Sequence, residues 1–188
     1  MALTVREYRA QDEEPWLRLR VVSFLHTAYF DAVERRRPPL PVPGFGLVAE
    51  EVGELIGLID VTVSGGRATI DTIAVHPDQR NRGVATALLT QAAPRATAAG
   101  ASVIEAWTRD DEPALCWYRA RGFQETDHYL HVYANLYANP AEPGRAVRSA
   151  RPGLQPIALY CHGPIDQVDD LRHEFQRVHV CRRCWSPV

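Results

Sequence analysis

The segment "TIDTIAVHPDQRNRGVATALLT", residues 69–90, restricts the fold more than any other part of the chain. A β-branched, apolar run reads as a strand, and His76–Pro77 ends it, because proline offers no ladder donor. Within a few residues Gly83 opens an Ala- and Leu-rich helix. A helix that starts directly after a strand presents unpaired N–H groups and the positive end of its dipole at the strand's end. Gly83 lets a ligand approach the backbone, Ala85 is nearly as permissive, and Arg80 and Arg82 add positive potential. The stretch Asn81, Arg82, Gly83, Val84, Ala85 and Thr86 reads as a main-chain cradle for a diphosphate.

The rest of the pattern predicts a mixed α/β chain. Residues 3–8 alternate as a first strand. Residues 16–34 have roughly helical spacing and end at the prolines of "RRRPPLPVPG". Two apolar runs around the acidic turn Glu50–Glu54 predict a hairpin, and Gly65–Gly66 turns the chain into the strand before the cradle. The helix over 82–99 carries Pro94 as a kink or early stop. A strand over 101–107 and a helix over 112–121, capped by Asp111 and ended by Gly122, follow. "HYLHVYANLY" is a further strand. Residues 138–156, rich in Pro and Gly, read as a linker. Residues 157–188 read as a small βαβ-like extension packed on the core.

Composition narrows the function classes. At 188 residues and 46% hydrophobic, the chain can bury one domain's core, with an appendage. No apolar run reaches the ~18 residues of a membrane span. The first residues lack a charged segment followed by an apolar one, so no signal peptide is read and a cytoplasmic protein is expected. The net charge is −2. Residues 1–144 hold fourteen arginines against nineteen acidic residues, and residues 145–188 hold seven against four. The acidic balance argues against general nucleic-acid binding. Lysine is absent, which removes a Schiff-base nucleophile.

Two motifs then stand in order. Arg80, Gly83 and Ala85 form R-x-x-G-x-A, and "ALCWYRARGF" places Ala114, Tyr118, Gly122 and Phe123 about thirty residues on. This pair resembles the signatures of GCN5-related N-acetyltransferases, the GNAT superfamily, over roughly residues 3–137. The resemblance implies a mixed, mostly antiparallel sheet flanked by helices, with an acyltransferase domain over 1–137. It implies acetyl-CoA as acyl donor, bound by the cradle and by backbone groups of Ile73, Ala74 and Val75 on a splayed strand. Tyr118 falls on the usual general acid, a phenol able to protonate a departing thiolate; packing on the sheet is its other reading. Asp111 stands where relatives often place a cofactor-contacting Asn.

The base is open. Asp71 is the first candidate, two residues before Ile73 and so on the same face by alternation. Glu105 would face the opposite way from Ala106. Asp60, a lone acid in "GLIDVTV", is a third candidate for the base and for binding the acceptor, or else an edge acid facing water. His26, Tyr29 and Asp31 in "SFLHTAYFD" are candidates for the acceptor pocket. The acids Asp31, Asp60 and Asp71 suit a cationic acceptor: a primary amine on a small molecule or peptide. Transfer of an aminoacyl group from tRNA on the same fold, and a non-catalytic CoA-binding or zinc-stabilised module, are the alternatives. A homodimer is compatible with the sequence. Cys161, Cys181, Cys184 and His162 are the residues a zinc ion would draw on, with "CRRC" the suggestive spacing. In a strand, however, Cys181 and Cys184 point to opposite faces, so no metal is expected.

Overall fold

The computed structural model describes residues 3–147 and 152–188. They form eight strands and five helices in the order β1 (Thr4–Glu7), α1 (Glu13–Phe24), β2 (Gly44–Glu51), β3 (Glu54–Ser64), β4 (Arg67–Val75), α2 (Val84–Ala98), β5 (Val103–Thr108), α3 (Glu112–Arg119), β6 (Gln124–Asn135), α4 (Glu142–Ala146), β7 (Ala158–Pro164), α5 (Val168–Glu174) and β8 (Arg177–Pro187). Contacts divide the chain into two units. The first comprises Met1–Trp107, Tyr118–Gln124 and Cys184–Val188, and the second Thr108–Trp117 and Glu125–Arg183.

In the first unit β1, β2, β3 and β4 pair antiparallel in succession, and β5 joins β4 in parallel. The β2–β3 turn carries positive φ at Val52 and Gly53, and the β3–β4 turn at Gly65 and Gly66, the primed geometry that matches strand twist. Leu47–Ala49 and Ile56–Val61 are buried without alternation, because helices cover both faces of these strands. On one face Trp16 and Leu19 of α1 pack with Val48, Leu58 and Ala74. On the other, α2 sits on Gly57: a Cβ there would lie 2.6 Å from Val84 and 3.1 Å from Leu88. Glycine therefore sets how closely the helix that starts at the cradle approaches the sheet.

In the second unit β6 and β7 pair antiparallel. Leu130, Val132 and Ala134 point to a core with Phe175, Val180, Val168 and Leu171. The alternate residues Tyr129, His131 and Tyr133 form a ring array with Tyr160 and His162 on the other face. Glu142 is 1% exposed and accepts backbone N–H bonds from Asn135 (3.0 Å) and Gln176 (2.6 Å), so this buried carboxylate is hydrogen-bonded.

The mixed, mostly antiparallel sheet and flanking helices agree with the expected fold class, and several boundaries differ. The first helix stops at Phe24, not near 34. Thr27 returns its hydroxyl and its N–H to the Phe24 carbonyl, and successive turns at Phe30 and Ala32 replace helical bonds. α2 runs through Pro94, which lies on its exposed side. The 138–156 segment read as linker contains α4, with Glu142 and Pro143 buried; residues 148–151 lie outside the described residues. The tail supplies the expected β-α-β order but is not one separate piece, since Cys184–Val188 belong to the first unit. Among the described residues no helix is long and apolar enough to cross a membrane.

Candidate functional site

The parallel pairing of β4 with β5 covers only Arg67–Ile70 against Val103–Ala106. Among the described residues β4 pairs with β3 alone from Thr72 to Val75, so its other edge is open over Ile73, Ala74 and Val75, where a splay is expected. Which groups occupy that edge follows from the ladder. His76 N–H donates to Ile56 C=O at 2.9 Å, and antiparallel residues alternate in direction. Ala74, paired with Leu58, thus directs its backbone groups at β3, whereas those of Ile73 and Val75 lie on the open edge. Ala74 contributes a buried side chain and no edge donor, contrary to its expected role.

The open edge leads to the cradle. After a single 3-10 turn over Pro77–Gln79, Asn81 (φ +61°) and Gly83 (φ +79°) both adopt left-handed backbone. The first hydrogen bond of α2 runs from Ala87 N–H to Gly83 C=O at 2.9 Å. The N–H groups of Val84, Ala85 and Thr86 therefore precede the helical ladder and are donors for an external acceptor. Nothing lies within 4 Å of the position a Cβ on Gly83 would take. Space, donors and dipole together suit an anionic diphosphate.

The arginine side chains are committed to the protein rather than held over the cradle. Arg82 forms a forked pair with Glu51 at 2.9 and 3.0 Å and also donates to Gln79. Arg80 reaches α1, donating to the Ser23 carbonyl at 2.8 Å. Thr86 accepts from Arg121 Nε at 3.1 Å, tying the helix start to the segment after Tyr118.

Tyr118 is 4% exposed, with its ring 5.1 Å from Phe123 in an edge-on arrangement. Burial raises its pKa above the ordinary phenol range, and Tyr29 and Cys184 raise it further. The phenol thus stays protonated at neutral pH. Asp111 caps α3, accepting from Ala114 N–H at 3.4 Å with its carboxylate and from Leu115 N–H at 3.0 Å with its carbonyl.

The acids separate. A β-bulge opposite Asp60/Val61 leaves Asp71 as the extra residue of β4, between Ile70 (opposite Val61) and Thr72 (opposite Asp60). The alternation that would put Asp71 with Ile73 is broken: Asp71 hydrogen-bonds Thr62, whereas Ile73 faces Ile59, three residues away and so on the other face of β3. Asp71 is exposed. Desolvation raises its pKa, the Thr62 hydroxyl opposes that, and Asp60 adds to it. Asp60 is neither an edge acid nor open to an acceptor. It is 3% exposed, and Arg37 binds it bidentately, Nη2 to Oδ1 at 2.5 Å and Nε to Oδ2 at 3.3 Å, while stacking on Tyr8 at 3.9 Å. Burial raises the Asp60 pKa and Arg37 opposes the rise. Glu105 is buried and accepts from Thr69 and Arg67, both at 3.4 Å.

His26 and Asp31 lie exposed on the turns after α1, not on a helix face. Tyr29 packs on Phe24 with ring centroids 5.6 Å apart, and its phenol is felt by Tyr118. Among the described residues no group of three His, Cys, Asp or Glu is placed to hold a metal ion. Cys181 and Cys184 are buried, Cys161 is half-buried, and the exposed His162 stacks on His131 at 5.0 Å. Sequence reasoning missed Arg37, Ser23 and Gly46. The available signal was a lone acid in an apolar strand, which when buried demands a cation from elsewhere.

Comparison with known proteins agrees with this geometry. The model of the Acetyltransferase (GNAT) family matches residues 3–123. An acetyltransferase of Sodalis glossinidius is 37% identical over 73 residues, 39% of this chain and 51% of that one. Mycothiol acetyltransferase of Clavibacter michiganensis subsp. michiganensis is 28% identical over 131 residues, 65% of this chain and 43% of that one. The chain thus spans about half the length of these curated relatives. A GNAT family acetyltransferase from Elizabethkingia anophelis, solved with acetyl-CoA bound, superposes with a TM-score of 0.57 at 16% identity, covering 99% of this chain and 98% of that one. Open half-strand, left-handed turn and helix start, matched by the family model over most of the first unit, make this chain a member of the GNAT acetyltransferase family.

Proposed function

We propose that the chain is an N-acyltransferase that moves an acetyl group from acetyl-CoA to a primary amine of a small molecule or peptide. The carrying observation is the continuity of the open β4 edge with the left-handed Asn81–Gly83 turn and the unladdered N–H groups of α2. The N–H groups of Val84–Thr86 hold the donor's pyrophosphate. Val75 and Ile73 N–H on the open edge polarise the thioester oxygen, a preorganised role that costs no reorganisation.

Asp71, which the bulge turns away from the face of Ile73, accepts a proton from the acceptor ammonium through water, and its raised pKa makes it a better base than an ordinary carboxylate. The amine attacks the thioester carbon, the C–S bond breaks, Tyr118 gives its proton to the departing sulfur, and the second proton lost from the acylated nitrogen returns through water to the Tyr118 phenolate. With Asp60 neutralised by Arg37, the exposed acids Asp31 and Asp71 are those left to favour a cationic acceptor.

The test is calorimetry with acetyl-CoA, followed by a thiol-release assay over a panel of small amines and peptides. Binding with amine-dependent thiol release is expected. Absence of acetyl-CoA binding overturns the reading, and binding without release on any amine reduces the chain to a CoA-binding module.

A further inference from the structure

We propose that Ser23 and Arg80 are positioning residues of the acyl site, which together hold the Val75–His76 peptide and so fix the main chain at Val75, whose own N–H, in the preceding peptide, lies along the open edge of β4. The inference rests on the reading of that edge as the seat of the thioester. Beyond Ile70 the strand lacks its second neighbour, so the groups that must face the donor are those a ladder would otherwise hold in place. One peptide there is held on both sides. Its N–H, from His76, donates to Ile56 C=O at 2.9 Å, and its C=O, from Val75, accepts from Ser23 Oγ at 3.0 Å.

Ser23 does more than anchor. A bare Val75 carbonyl on the open edge would turn a partial negative charge toward a developing oxyanion. Engaged by the Ser23 hydroxyl, it leaves Val75 N–H to set the local field. Ser23 is in turn held: it is 2% exposed in the last turn of α1, where its own carbonyl accepts from Arg80 Nη2 at 2.8 Å. That guanidinium compensates the negative end of the α1 dipole. It also springs from the turn between the open edge and the cradle, so donor seat, cradle and α1 are joined by two hydrogen bonds. The arginine of the R-x-x-G-x-A motif thus acts through Ser23, and the phosphates are left to backbone amides.

The experiment compares Ser23→Ala, Arg80→Ala, Arg80→Lys and the double alanine variant for turnover and for CoA affinity by calorimetry. Each single alanine variant is expected to lower kcat about tenfold, a fraction of what losing an oxyanion donor costs. CoA affinity is expected to stay within about threefold, since the cradle amides are untouched. Arg80→Lys, which retains one donor, recovers part of the rate, and the double variant falls no further than the worse single one because both act through one peptide. Full turnover in both single variants, or losses that multiply, overturns the proposal. So does a tenfold loss of CoA affinity in Arg80→Ala with Ser23→Ala silent, which would make the arginine a phosphate ligand. Should Ser23→Ala not fold, the two Arg80 variants decide through the same split between kcat and affinity. Failure of the unsubstituted chain to bind CoA sinks the acyl-carrier reading itself and is seen before any variant is made.

Discussion

The Arg37 guanidinium reaches back from the proline-rich segment after α1 to clasp Asp60 in the middle of β3, between the Tyr8 ring and the backbone of Gly46. A Cβ on Gly46 would lie 2.6 Å from Asp60 Oδ1 and would overlap Arg37 Nη2. Both side chains of the pair are at most 12% exposed, so removing one partner leaves a charge without compensation. Asp60→Ala and Arg37→Ala are each expected to destabilise the protein by about 3–5 kcal/mol. Gly46→Ala should do similar harm while leaving both charges in place. Urea unfolding of the three variants checks this; midpoints unchanged within error would mean that the pair is dispensable.

Asp71 carries the pH prediction. Desolvation raises its pKa from the ordinary aspartate value, so the basic form appears at higher pH than for a free aspartate. The acid limb of kcat/KM is expected at that higher pH, with rate rising as the carboxylate ionises. Asp71→Asn should lower kcat about a hundredfold and abolish that limb, and Thr62→Val, which removes the opposing hydrogen bond, should shift the limb to still higher pH. An Asp71→Asn enzyme with the original profile would assign the base to water or another group.

How much of this was legible in the chain differs residue by residue. The Asn81–Gly83 turn and the start of α2 were readable because glycine, an absent side chain and a helix start are local properties. The packing of Tyr118 on Phe123 was readable because the distance to Gly122–Phe123 is a spacing along one helix and its end. Asp71 was misplaced because strand alternation assumes an unbroken period of two, and the inserted residue of a bulge leaves no mark in the sequence. Arg37 was invisible as a partner of Asp60 because the whole of β2 and a hairpin turn lie between them, a sequence separation of 23, and only tertiary packing brings them together. The turns after Phe24 hid behind a helical periodicity that Thr27 interrupts by bonding back to the main chain.

Gly57 sets the height of the cradle. With a Cβ at 2.6 Å from Val84 and 3.2 Å from Ala49, Gly57→Ala must push the first turn of α2 off the sheet. Overpacking of this kind costs about 1–3 kcal/mol. The donor N–H groups of Val84–Thr86 move with that turn, so KM for acetyl-CoA should rise more than kcat falls. Gly66→Ala is the control: that site has φ +76° and only the Gly100 carbonyl within 4.0 Å, so it should cost stability without a change in KM. A KM unchanged in Gly57→Ala would show that α2 absorbs the methyl elsewhere along its length.

His131 in the second unit makes acid stability a local property. Arg109 Nε donates to its Nδ1 at 3.2 Å, which fixes the proton on Nε2, and Nε2–H donates to the Tyr129 hydroxyl at 2.9 Å. Burial first, then the Arg109 charge, lower the His131 pKa from 6.5 to about 4. The folded state therefore holds this imidazole neutral where the unfolded chain takes up a proton. Its contribution is fully present above pH 6.5 and is lost as pH falls toward about 4, a swing of at most about 3 kcal/mol. Thermal unfolding followed from pH 7 to pH 4.5 should show the midpoint falling in the native protein. In His131→Gln, which keeps a hydrogen-bonding side chain but does not titrate, that fall should be shallower. Parallel pH dependences in the two proteins would assign the acid sensitivity to other groups.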